Sequence, residues 1–164
     1  MEAAARNAVY VNIMLDSLKR KQQILSFLYD CTKDQEQLLK DENMDPDAFK
    51  QLIDAKGERI EELSTIDDGF DTIFHLVKEE IEKNRENYRE EILQMQKLIT
   101  EVSEIGVQIQ ALEQQNSGHF KTYLARHRKE IHDFNMNNRT AGAYYQNMAD
   151  AHKPQTSYFI DEKK

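Results

Sequence analysis

Tryptophan is absent from this chain, cysteine occurs once, proline twice and glycine five times in 164 residues. So little turn-forming material argues against a sheet of short strands joined by tight turns. One cysteine, Cys31, excludes an internal disulfide and the paired-cysteine zinc motifs, and is compatible with a reducing compartment. No apolar run is long enough to span a bilayer. The segment Val9–Leu15 is broken by Asn12, preceded by Glu2 and followed by Asp16, so it does not read as a secretory signal. An excess of positive charge is also missing, since the net charge is −8. Residues 30–71 hold 5 basic against 14 acidic side chains (5 − 14 = −9), whereas residues 114–164 hold 8 against 5 (8 − 5 = +3). Phosphate backbones and anionic lipid are therefore poor partners, and neither nucleic acid binding nor stable membrane insertion is expected.

What is present is helical periodicity. Charged residues make up 32% and hydrophobic ones 39%, the balance of long amphipathic helices. A first helix is expected from near Ala8 to about Lys40. Its seam runs Val11, Met14, Leu18, Lys21, Leu25, Leu28, Thr32, Gln35, Leu39, in alternating steps of three and four. Lys21, Thr32 and Gln35 are soft positions in that seam, of the kind that weaken a coiled coil and fix its register. Ordinary bundle packing and a dimer seam both fit it.

Asp45-Pro46 restarts the helix, with Asp45 as N-cap, Pro46 at the first helical position and Met44 stapled to Phe49. The second helix is expected to bury Phe49, Leu52, Ile53, Ile60 and Leu63 and to bend or break near Ile66-Asp67-Asp68-Gly69. Phe70, Ile73, Phe74, Val77 and Ile81 form the next apolar face, and Lys83-Asn84 is read as passing into a long helix.

That helix dominates the reading. Arg85–Met148 contains no proline, and its stripe passes through Ile92, Met95, Ile99, Val102, Gly106, Ile109 and Leu112. It resumes at Phe120, Leu124, His127, Ile131, Phe134, Asn138, Ala141, Tyr145 and Met148. The second half keeps the stripe but loses helix formers at Asn135, Asn137, Asn138, Thr140 and Gly142, together about 3 kcal/mol against alanine. A stripe on a reluctant helix suits a segment that a partner covers. Beyond Pro154 the tail carries Tyr158-Phe159-Ile160. The expected fold is all-α: an elongated antiparallel helical bundle or coiled-coil hairpin with one very long helix. Val11–Leu39 would lie antiparallel to part of Arg85–Leu112, with Phe49–Ile81 alongside. Residues 1–118 form the scaffold and 119–164 the continuation of the long helix and its binding segment, one domain overall.

No catalytic pattern is found: no glycine-rich phosphate loop, no nucleophile elbow, no cysteine pair. Thr72, Asn116, Leu124, Lys129 and Ala149 stand three residues before the five histidines, which excludes the Glu-x-x-His motif of di-iron bundles. His119, His127 and His132 lack the i, i+4 spacing of a zinc-binding helix and neighbour Arg126, Arg128 and Lys129. The cluster Lys121, Arg126, Arg128, Lys129 reads as a solvated helix face beside Glu130 and Asp133. No catalytic residue, cofactor or metal ligand is therefore expected.

Several stretches resemble the FlgN-type flagellar export chaperones, in particular those of Gram-positive bacteria. They are Lys56-Gly57-Glu58-Arg59-Ile60-Glu61-Glu62-Leu63, Ile66-Asp67-Asp68-Gly69-Phe70-Asp71 and Ile105-Gly106-Val107-Gln108-Ile109-Gln110-Ala111-Leu112-Glu113. Towards the end, Ala143-Tyr144-Tyr145-Gln146-Asn147-Met148 and Ser157-Tyr158-Phe159-Ile160-Asp161 continue the likeness. The resemblance implies a cytoplasmic helical protein without enzyme activity. Such a protein holds hook-associated subunits, chiefly those of the hook–filament junction, and presents them to the type III flagellar export gate. It also implies cargo binding by the C-terminal region and a gate-docking role for Tyr144 or Tyr145. Joined to the stripe, this gives Phe120, Leu124, Ile131, Phe134, Ala141, Tyr144, Tyr145 and Met148 as partner-binding residues. Tyr158 and Phe159 are expected to cover the strip or touch the cargo. Two alternatives stand beside this one: a FliT-type chaperone of the filament-cap protein, and a self-associating coiled-coil adaptor, a homodimer with no export role.

Overall fold

In the computed structural model, which describes residues 2–126, three helices of equal length follow one another. They are α1 (Glu2–Leu39), α2 (Pro46–Lys83) and α3 (Arg89–Arg126), with a single 3-10 turn, Arg85–Tyr88, between α2 and α3. Among the described residues there is no strand. The all-helical class is thus as expected, but its arrangement differs from expectation in two linked ways.

The first difference is that α2 does not break at Ile66–Gly69. Asp67 interrupts the apolar stripe there, yet it occupies a seam position and its charge is met by Lys21 at 2.6 Å. Phe49, Ile53, Lys56, Ile60, Leu63, Asp67, Phe70, Phe74, Val77 and Ile81 form one continuous seam in steps of four and three. All of them are buried except the half-buried Asp67.

The second difference follows from the first. With α2 unbroken, the chain reverses direction twice, so α3 runs parallel to α1 rather than antiparallel. The core clusters show this order. Val11, Met14 and Leu18 pack with Phe74, Val77 and Ile81 and with Ile92 and Met95, whereas Leu38 and Leu39 pack with Phe49, Ile53, Phe120 and Leu124. The Cα trace of α1 approaches both neighbours, while α2 and α3 stay more than 8 Å apart throughout. Those two helices meet through long side chains, among them the Phe49–Phe120 stack and the Lys56–Glu113 ion pair.

Local chemistry sets the corners. Asp45 caps α2, its carboxylate accepting from the Asp47 N–H at 3.0 Å, with Pro46 following at the first helical position. Met44 and Phe49 share one core cluster, as a hydrophobic staple requires. The second corner lies at Lys83-Asn84, where the sequence reading continued the helix. Asn84 donates through its backbone N–H to the Glu80 carbonyl and through Nδ2 to Glu80 Oε1, both at 3.0 Å. Tyr88, buried, then anchors the 3-10 turn, and α3 begins four residues later than expected. Among the described residues the three helices are of equal length, and the second half of the expected long helix lies outside them.

Candidate partner-binding site

The end of the bundle where α1 hands over to α2 holds two of the residues expected to bind a partner. Phe120 and Leu124 are buried there with Met44, Phe49 and Ile53, and Leu38, Leu39 and Tyr123 pack around them. The Phe49 and Phe120 rings stack at 5.2 Å with planes 10° apart, and Phe120 stacks on Tyr123 at 6.3 Å. Phe120 and Leu124 are thus core residues, not part of an open strip. The reason is visible in the register: the α1–α2 corner lies level with the last turns of α3 and supplies the apolar cover. Ile131, Phe134, Ala141, Tyr144, Tyr145, Met148, Tyr158 and Phe159 lie outside the described residues.

Beneath this apolar end sits a polar layer that links all three helices. Lys56 Nζ donates to Gln35 Oε1 at 2.8 Å and forms an ion pair with Glu113. Asn116 Nδ2 donates to the Thr32 carbonyl at 3.1 Å. About three to four turns away, a second polar site joins Lys21 to Asp67, and Gln22 donates to Glu101 on α3 beside it. Burial pulls the Lys21 ammonium below its ordinary value of 10.5, a pull that Asp67 and Asp71 oppose. A buried charge is tolerated only when paired, so each site penalises any slip of one helix past another.

Sequence reading found Lys21, Thr32 and Gln35 but missed their partners Lys56, Asp67, Glu113 and Asn116. The signal was there. Strict counting along α3 goes from Ile109 to Glu113, Asn116 and Phe120, in steps of four, three and four. Leu112 is the more apolar neighbour, and both it and Glu113 turn inward. Leu52, expected in the core, is only half-buried, because it stands one position off the α2 seam.

The described residues offer no group of three His, Cys, Asp or Glu side chains placed to hold a metal ion. His119 is exposed, and His75 lies with Nδ1 2.8 Å from the Asp71 carbonyl. Cys31 is buried on α1, where burial pushes its thiol up and away from reactivity. No helix of the described residues is long and apolar enough to cross a membrane. No family model, curated protein or solved structure matches the chain.

Proposed function

We propose that this chain is a non-enzymatic helical chaperone of the FlgN type, holding an exported flagellar subunit of the hook–filament junction and presenting it to the export gate. One observation carries the reading most of the way. The α1–α2 corner lies level with Phe120–Leu124, so the cover that α1 and α2 give to the α3 stripe is spent there. The sequence nevertheless keeps the same three–four spacing through His127, Ile131, Phe134, Asn138, Ala141, Tyr145 and Met148, polar at His127 and Asn138 and apolar or aromatic at the rest. Apolar residues repeated at helical spacing in the sequence past the last described turn of α3 suit an amphipathic segment of another protein, laid helix-in-groove. The sequence resemblance supplies the identity of that partner and the cytoplasmic setting. The test is a pull-down from purified components, offering the hook–filament junction subunits and the filament-cap subunit in parallel. Retention of the junction subunits alone supports this reading. Retention of the cap subunit alone makes the chain a FliT-type chaperone, and retention of neither refutes the export role.

A further inference from the structure

The inner seam of α1 is fully used by the bundle, but α1 carries a second seam on its outer face. Glu2, Arg6, Val9, Ile13, Asp16 and Arg20 follow one another in steps of four, three, four, three and four. That spacing draws a single stripe along a helix. All six residues are exposed, and Val9 and Ile13, at 55% and 40%, are among the most exposed large apolar side chains of the described residues. Leu76, at 62%, stands on the turns of α2 that pack beside the first turns of α1.

The order of charges along this stripe is the informative part: acidic, basic, apolar, apolar, acidic, basic. Laid antiparallel on a second copy of itself, it sets Glu2 beside Arg20, Arg6 beside Asp16 and Val9 beside Ile13, twice over. Laid parallel and in register, it sets every charge against its like. Single exposed apolar residues are ordinary on a protein surface. Two at the centre of a stripe whose flanking charges are self-complementary in one direction only are not explained by solvation. Arg20 also grips Glu62 of α2, donating at 2.9 and 3.1 Å, which holds its guanidinium on this face.

We propose that the outer face of α1 is a homodimer interface, in which α1 packs antiparallel on α1 of a second copy about a two-fold axis. This inference is independent of the export role, because it uses none of the residues assigned to cargo. An isologous contact of this kind closes on itself and goes no further than two copies. Its apolar centre is small, so the dimer is weak, and its flanking ion pairs make it weaker at high salt.

Sedimentation equilibrium of the full chain at low salt, up to about 1 mM, tests it. The wild-type chain is expected to approach twice its monomer mass. Val9→Ser with Ile13→Ser should weaken association by at least about tenfold and leave the melting temperature of the monomer unchanged, since both side chains are exposed. Arg6→Glu alone should also weaken it, and Arg6→Glu combined with Asp16→Arg should restore it by exchanging the two signs. A wild-type chain monomeric at every concentration overturns the proposal. So does association that survives the Val9 and Ile13 substitutions, and failure of the double charge reversal to restore it rules out the antiparallel pairing.

Discussion

Lys21 shows what a single side chain costs and contributes in this bundle. It is 1% exposed and its ammonium meets Asp67 at 2.6 Å. Removing the partner by Asp67→Ala takes away the 2.6 Å ion pair of a buried cation, and the expected loss is about 3 kcal/mol in urea unfolding. Lys21→Met, which keeps the length and removes the charge, is expected to cost less or to stabilise. The pH dependence has a definite sign. The folded chain holds the Lys21 proton less tightly than the unfolded chain, so the unfolded state binds more protons between the lowered value and 10.5. Stability therefore rises with pH through that window, and below it a constant penalty is present. The difference in stability between wild type and Lys21→Met should narrow or change sign towards pH 10, measured by denaturant titration at several pH values. A difference that stays flat would mean the ammonium is not penalised by burial.

At the scale of the element, α2 is the helix that sequence reading divided and the structure joins. Gly57 and Gly69 lie inside it, and a methyl group added at either would meet nothing within 4 Å. Neither position needs the freedom of glycine. Gly57→Ala with Gly69→Ala should therefore stabilise the bundle by about 2 kcal/mol together, near 1 kcal/mol each. A loss of stability would place a bend in α2 after all. The α1 seam was legible residue by residue, because every one of its nine positions steps by three or four and turns inward. So was the start of α2, because Asp45, Pro46, Met44 and Phe49 each act locally. The course of α2 through Ile66–Gly69 was not legible, since the residue that keeps Asp67 in the seam is Lys21, distant in sequence. Long-range pairing of this kind leaves no periodic trace in either helix alone.

The whole molecule depends on that same point. Read with a break in α2 and none at Asn84, the chain gives α3 antiparallel to α1; read without the break, it gives the observed up-down-up order. Both readings bury the same α3 stripe, which is why Ile99 and Ile109 were placed correctly in the core while the direction of α3 was not. Ile109→Asp, at a fully buried site, should unfold the scaffold, a loss of more than about 4 kcal/mol visible as a collapsed melting transition. Cargo binding then divides by residue. Phe134→Ala with Tyr145→Ala should weaken capture of a junction subunit by at least about tenfold, since each large apolar anchor is worth roughly 1.5–3 kcal/mol. On this reading the melting temperature should not move. Phe120→Ala should behave in the opposite way. It removes the ring stacked on Phe49 and should cost about 3–5 kcal/mol of stability, with cargo affinity falling only as far as the bundle loosens. Calorimetry and thermal melts on the same three proteins separate the two classes. If Phe120→Ala abolishes cargo binding while the fold survives intact, the stacked end of the bundle opens to receive cargo. The binding strip would then begin at Phe120, as its place in the sequence pattern suggests, and the Phe49 contact would be its resting cover.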